Sequence, residues 1–320
     1  MSLTPKKILF IRSDRVGEFL LSLPAIRLVK ENYPESKIFL LAQQSNIDLV
    51  KGLDFINYFI EYHEQEFRGI RGAFKLGKIL KKEEIDCVII LNPKKEFHLS
   101  SYLARIPLRI GYARKWGFCL NRKIADRKNL EEKHEIEYNL ELVGLICKKM
   151  FIPEINFSTE EKTSLESLKD VVEINKKYIV LHPFTSYPPK KVDDTFWMAL
   201  VERIKSQKKD IVIIGSKEEK KEALLLEKKL GVKNIVGKLT LRNLATFLKY
   251  CCVIFIGLDS GPLHLADILQ IPVIGVFKIS NPKRWGPYFA KYLVIDLRRE
   301  EYSLSSIDKI ISFMRENLLL

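Results

Sequence analysis

The chain has 320 residues, of which 47% are apolar and 29% charged, with a net charge of +14. That length and balance predict about two globular domains with cores that need no disulfide or metal staple, and they exclude a disordered chain. No apolar run reaches the roughly 18 residues of a bilayer span, and MSLTPKKILFIRSDR lacks the apolar core of a signal peptide, so neither secretion nor a spanning helix is expected.

Short apolar runs at 7–12 (KILFIR), 37–42 (KIFLLA) and 87–91 (CVIIL) read as strands. Between the first two, residues 17–34 have helical spacing, kinked at Pro24 and ended by Pro34. This βαβ opening implies a parallel sheet covered by helices. Helices are predicted at 72–84 and 133–150, and residues 93–132 read as loops around a short strand near 108–113. The polar stretch 154–176 reads as a linker. A second alternation follows, with strands at 177–182, 210–215, 253–257, 272–277 and 292–296 and helices at 194–207, 217–230, 241–250 and 262–270, before a last amphipathic stretch at 304–318. The fold class is α/β: two doubly wound domains with a cleft between them, ligands being expected at strand carboxyl ends and helix N-termini.

Cys87, Cys119, Cys147, Cys251 and Cys252 form no CxxC pair, and their odd number points to reduced, buried thiols in the cytoplasm and no metal site. Residues 94–128 carry a net +8, including Arg105, Arg109, Arg114 and Lys115. Such a field suits an acidic partner; the plain alternative is a solvated face.

Four blocks sit where chemistry is expected. Ser13-Asp14-Arg15-Val16-Gly17-Glu18 ends the first strand and opens a helix, so Asp14 or Glu18 reads as a helix cap, or Glu18 as a general base at a cleft rim. The block is not a GxGxxG fingerprint. His182 through Lys191 follows the first strand of the second half; Thr185, Ser186 and Lys190 suit a diphosphate, though an ordinary polar loop has the same composition. Gly257-Leu258-Asp259-Ser260-Gly261-Pro262-Leu263-His264 runs from a buried strand into a helix, where free N–H groups would face a phosphate and where Ser260 could simply cap. Arg284-Trp285-Gly286-Pro287 is the fourth, with packing as its plain alternative.

Taken in order, these blocks resemble glycosyltransferase family 9, the lipopolysaccharide heptosyltransferases. The resemblance is carried by Ile8 to Arg12, Val16-Gly17-Glu18, Leu23 to Ile26, the His182 to Lys190 loop, Val236 to Leu241 with Leu244-Ala245, Gly257 to Ala266 and Arg284 to Pro287, nearly the whole chain. It implies a GT-B fold, two Rossmann-like domains facing across a cleft: 1–160 for the acceptor, 161–303 for the nucleotide sugar, and a helix at 304–320 returning to the first domain. It implies an inverting transfer of heptose from ADP-heptose to an acidic lipopolysaccharide precursor, without a cofactor or tightly bound metal, at the inner face of the inner membrane.

By that resemblance Glu18 stands where the family has an aspartate base, and Lys190 and Asp259 complete the catalytic set. Thr185, Ser186, Glu218, Ser260, Gly261, Pro262 and His264 would hold the donor; Arg15, Arg105, Arg109, Arg114 and Lys115 would meet the acceptor. The chain departs from the family at Glu18, at Lys278-Ile279-Ser280-Asn281 and at Val192-Asp193-Asp194. Two other readings are a GT-B transferase with a different nucleotide sugar, and a noncatalytic saccharide- or nucleic-acid-binding protein. No recognised nucleic-acid motif accompanies the basic cluster, so no nucleic-acid partner is expected.

Overall fold

The computed structural model describes residues 4–157, 165–205, 210–299 and 302–318. It divides into two compact units, Met1–Phe157 and Ser158–Leu320. The expected linker at 154–176 lies partly outside the described residues.

The first unit opens with β1 (Lys7–Ile11), α1 (Val16–Leu20), α2 (Leu23–Asn32) and β2 (Lys37–Ala42). Pro24 does not kink one helix; it starts a second. It lies in the first turn of α2, where its missing N–H costs nothing, and the Ser22 hydroxyl donates to Phe19 O across the break. Next come α3 (Gln44–Val50), β3 (Tyr58–Glu61), α4 (Glu64–Phe67), α5 (Gly69–Lys82) and β4 (Cys87–Ile90). The unit ends with α6 (Lys95–Leu103), β5 (Leu108–Tyr112), β6 (Arg122–Ile124) and α7 (Glu135–Val143).

Five elements here escape the sequence reading: α3, β3, α4, α6 and β6. β3 is a short, half-exposed edge strand. α6 occupies a stretch expected to be loop, because its buried face carries His98, Ser100 and Ser101, which erase the apolar period. Both hydroxyls bond back into the helix, Ser100 to Phe97 O and Ser101 to His98 O.

The second unit contains β7 (Tyr178–His182), α8 (Asp194–Lys205), β8 (Ile211–Ile213), α9 (Lys220–Leu230), β9 (Lys233–Asn234), α10 (Leu241–Cys251), β10 (Cys252–Leu258), α11 (Gly261–Ile268), β11 (Val273–Phe277), α12 (Pro282–Trp285), β12 (Tyr292–Asp296) and α13 (Leu304–Leu318). The expectation that the last helix returns to the first domain fails. Ile307, Ile310, Ile311 and Met314 of α13 are buried in the second unit's own core with Trp197 and Ile254. That apolar stripe already has its covering surface beside β12, the strand from which the chain arrives.

Both sheets are wholly parallel, in the orders β3-β2-β1-β4-β5-β6 and β12-β11-β10-β7-β8-β9. Counted from each unit's own first strand, both orders are 3-2-1-4-5-6, and each reverses between the first and fourth strands. Ligands of doubly wound sheets sit at the strand carboxyl ends at that point. In register, β1 places Ile11 beside Ile90 of β4, and β7 places His182 beside Gly257 of β10. A side chain at Gly257 would press on the His182 backbone, its Cβ 3.0 Å from His182 O, so glycine lets the two strands meet.

Candidate active site

At the first unit's reversal point, Arg12 leaves β1 and is buried at once. Its guanidinium donates to Leu91 O at 3.2 Å, pairs with Asp14 at 2.9 Å and reaches Glu135 of α7 at 3.5 Å. Lys128 meets the same Glu135 carboxylate at 2.6 Å and lies 4.6 Å above the Tyr112 ring. Burial alone would lower the Arg12 pKa, but Asp14, Glu135 and Glu18 outweigh it and hold the guanidinium firmly charged.

The turn after Arg12 is clamped from three sides. Asn92, beyond β4, accepts from Ser13 N and donates to Ser13 Oγ; Gln43 donates to Ser13 O and Asn46 to Asp14 O. Asp14 therefore pairs with Arg12 instead of capping α1, whose N-cap residue is the exposed Arg15. Glu18 follows in the first turn, half-buried and within the electrostatic field of Arg12. Asn92 and Glu135 were not singled out from sequence; Arg12 entered only as the end of the first motif and Lys128 only as a charge of the 94–128 cluster.

The basic cluster does not form one surface. β5 carries the chain from the amino end of the strands to the carboxyl end, with Arg109 near its start and Arg114 two residues beyond its last, in a turn where Arg114 N donates to Tyr112 O. Arg105 and Arg109 lie at the amino edge, away from Glu18. Arg109 spends its guanidinium on the carbonyls of Cys119 and Ile106, while Arg105 occupies a left-handed turn at φ +56° after α6. Arg114 and Lys115 are at the carboxyl edge; Arg114 pairs with Asp126 at 2.8 Å and Lys115 donates to Pro93 O at 2.7 Å. Of these four, Arg114 and Lys115 share the carboxyl end of the strands with Glu18.

In the second unit, β7 and β10 deliver a compact set. Lys190 Nζ pairs with the Asp259 carboxylate at 2.5 Å, and the other Asp259 oxygen lies 3.4 Å from His264 Nε2. Burial pushes the Asp259 pKa up, but His264 and Lys190 outweigh it and hold the carboxyl down at about 2. Ser260 does not cap α11 with its side chain; the hydroxyl lies 3.0 Å from Leu258 O and 3.1 Å from His182 Nδ1. Its single proton goes to the carbonyl, so His182 donates from Nδ1 and keeps its lone pair on Nε2. Gly261 and Pro262 open α11, where Leu263 and His264 N–H both turn to Ser260 O.

Thr185 Oγ1 accepts from Tyr187 N and shapes the loop, while Ser186 is exposed. Glu218 also points to solvent; its neighbour Glu219 is the inward carboxylate, accepting from Ser216 N at 2.6 Å and lying 3.9 Å from His182 Nε2. Glycine at 215 makes this possible, since a Cβ there would sit 2.7 Å from the Glu219 carboxylate. Burial raises the Glu219 pKa. Two further polar groups brace the region. Asp267 accepts from the backbone N–H groups of Tyr288, Phe289 and Ala290, tying the segment after Arg284 to α11. Lys278, a departure from the family pattern, donates to Lys191 O at 2.9 Å.

Burial drives the His182 pKa down to about 4. An unfolded histidine titrates near 6.5, so between these values the unfolded state holds the extra proton and stability falls with falling pH. Lowering the pH from 7 to 4.5 is expected to remove roughly 2 kcal/mol through this group. In thermal melts across that range, His182→Gln shows a shallower loss than wild type; equal slopes would place the imidazole in contact with water. His98, also at about 4 through burial, leaves a residual slope in both proteins.

Among the described residues, no group of three His, Cys, Asp or Glu side chains is placed to hold a metal, and no helix is long and apolar enough to cross a membrane.

Comparison with known proteins gives a consistent answer. Residues 73–310 match the profile of glycosyltransferase family 9 (heptosyltransferase). The lipopolysaccharide core heptosyltransferase OpsX of Haemophilus influenzae is 23% identical over 331 aligned positions, covering 98% of this chain and 86% of that one. Among solved structures, the E. coli ADP-heptose lps heptosyltransferase II superposes with a TM-score of 0.81 at 20% identity, covering 98% of both chains. The E. coli heptosyltransferase WaaC with ADP-2-deoxy-2-fluoro heptose superposes with a TM-score of 0.71 at 19% identity, covering 97% of this chain and 99% of that one.

Proposed function

The chain belongs to glycosyltransferase family 9 and is a glycosyltransferase of GT-B fold, and from that premise we propose that it transfers a heptose from ADP-heptose to the acidic inner core of a lipopolysaccharide precursor, with inversion at the anomeric carbon. The observation that carries the reading is the pair of equivalent reversal points, one supplying a carboxylate at Glu18 and the other a buried Asp259 that holds a lysine and a histidine. The donor assignment is supported by WaaC, which was solved with a heptose analogue of that nucleotide, and the acceptor by the lipopolysaccharide core relative.

In this reading Glu18 removes the proton from the acceptor hydroxyl as the oxygen attacks the anomeric carbon. The bond to the ADP oxygen breaks on the opposite face. Lys190 and the amino end of α11 neutralise the charge that develops on the diphosphate. Asp259 cannot stabilise a phosphate; it positions the Lys190 ammonium. Arg15, Arg114 and Lys115 are the acceptor-side cations of the earlier set that remain at the Glu18 end of the strands. Catalysis takes place at the cytoplasmic face of the inner membrane, where such a precursor is anchored.

Thermal shift across a panel of nucleotide sugars tests the donor. A ligand at 100 times its Kd adds about 2.7 kcal/mol, or roughly 5–10 °C for a unit of this size. ADP-heptose is expected to give the largest shift. A larger shift from a uridine or guanosine sugar would select the rival reading of a different nucleotide sugar, for which the altered Lys278 turn is the structural motive.

Lys190→Ala is expected to weaken ADP binding about 10- to 100-fold in a calorimetric titration, the value of a charge-assisted contact, with acceptor KM unchanged. Equal donor affinity would mean that Lys190 serves Asp259 alone.

A further inference from the structure

The outer face of α5 belongs to neither site. From Arg68 to Lys82 the sequence holds six cationic side chains and no carboxylate. Gly72, Ala73, Leu76, Gly77 and Leu80 are buried. A Cβ at Gly77 would lie 3.2 Å from Ser100 O of α6, so glycine there allows the two helices to pack. At about 100° per residue, Ile70, Arg71, Phe74, Lys75, Lys78, Lys81 and Lys82 share the opposite face, and all are exposed. Ile70 is 61% and Phe74 52% exposed. Lys75 pairs with Glu66 at 2.6 Å. Among the described residues, no carboxylate lies within ion-pair distance of Arg71, Lys78, Lys81 or Lys82.

Large apolar side chains held in water on a cationic helix face are the signature of a helix that lies in a bilayer interface. A protein partner fits less well, because interface cores are depleted of lysine. The placement also serves the chemistry. Gly69 N donates to Glu96 in the first turn of α6, just beyond β4, so Ile70 and Phe74 lie toward the same sheet edge as Glu18.

We propose that this face of α5 docks the enzyme on an anionic lipid bilayer, with Ile70 and Phe74 entering the headgroup boundary and Arg71, Lys78, Lys81 and Lys82 meeting acidic headgroups. The proposal rests on the reading of the acceptor as membrane-anchored and names the surface that would reach it.

Sedimentation with vesicles tests it, using the full chain without donor or acceptor. Wild type is expected to bind vesicles containing one third phosphatidylglycerol, to ignore pure phosphatidylcholine and to be released by salt. Each basic side chain near an anionic surface is worth about fivefold, so Lys78→Gln/Lys81→Gln/Lys82→Gln lowers the partition coefficient about 100-fold at low salt. Ile70→Ser/Phe74→Ser lowers it at least about tenfold. Both variants alter only exposed groups, and unchanged melting temperatures verify their folding. Transfer to a deacylated, water-soluble acceptor stays at the wild-type rate in both, which separates this test from the transfer assignment. Wild type that ignores anionic vesicles overturns the docking surface whatever the transfer assay shows. So does an Ile70→Ser/Phe74→Ser protein that keeps its vesicle affinity and loses only self-association in the ultracentrifuge.

Discussion

Glu18→Gln is expected to leave both units folded and donor affinity unchanged while transfer falls about 100-fold or more. The substitution keeps the shape of the side chain and removes its negative charge, and with it the ability to take a proton and the smallest of the three carboxylate contributions to the field on Arg12. A sugar hydroxyl is a weak nucleophile until that proton leaves, and a placed base is worth roughly 10²–10⁴-fold. The loop that carries Glu18 is held by Asn92, Gln43 and Asn46 through backbone and hydroxyl contacts that do not involve the carboxylate, so the variant should melt within a degree or two of wild type. Glu18→Asp, one methylene shorter, is expected to keep partial activity. Steady-state rates beside thermal melts decide the matter. Glutamine turnover within about threefold of wild type would remove Glu18 from the base role.

The largest stability effect is expected at Arg12. Arg12→Met takes away the cation that faces Asp14 and the almost wholly buried Glu135. Lys128 alone then remains against Glu135. Breaking one partner out of a buried ionic group typically costs about 3–5 kcal/mol, because the remaining charges stay buried without compensation. For a unit of this length that is a fall of roughly 6–20 °C in Tm. Glu135→Gln added to Arg12→Met recovers part of the loss, since it removes a stranded carboxylate, and a double-mutant cycle reads the coupling directly. A loss below about 1 kcal/mol for Arg12→Met would mean that water reaches the network and screens it.

The alternation of strands and helices was legible because strands buried on both faces read as continuous apolar runs; KILFIR, KIFLLA, CVIIL and KYIVLH all lie inside the sheets. α6 was hidden because polar His98, Ser100 and Ser101 fill its buried face, and β3 because an edge strand need not be apolar. At the second reversal point, Lys190, Asp259, Ser260 and His264 were recognisable from the strand–turn–helix context. Their mutual contacts were not. Ser260 read as a donor contact, with a plain helix cap as the alternative; that its hydroxyl meets His182, a residue far away in sequence, was not legible. Glu219, the neighbour of Glu218, was not singled out, because only the packing of Gly215 shows which carboxylate folds inward. The Arg12–Glu135 contact joins β1 to α7 and leaves no local trace. Within 94–128, closeness in sequence is not closeness in space: β5 separates Arg105 and Arg109 at one end of the strands from Arg114 and Lys115 at the other.

The central claim is the transfer itself, and mass spectrometry with NMR of the product tests it most directly. Purified enzyme is incubated with ADP-heptose and an acidic inner-core lipid A precursor. The account predicts that the acceptor gains the mass of one heptosyl group, that ADP is released in equal amount, and that the new linkage has the anomeric configuration opposite to that of the donor. An acceptor of unchanged mass with ADP-heptose, together with sugar transfer from a different nucleotide donor, would contradict it; retention of the donor's configuration would contradict the role given to Glu18.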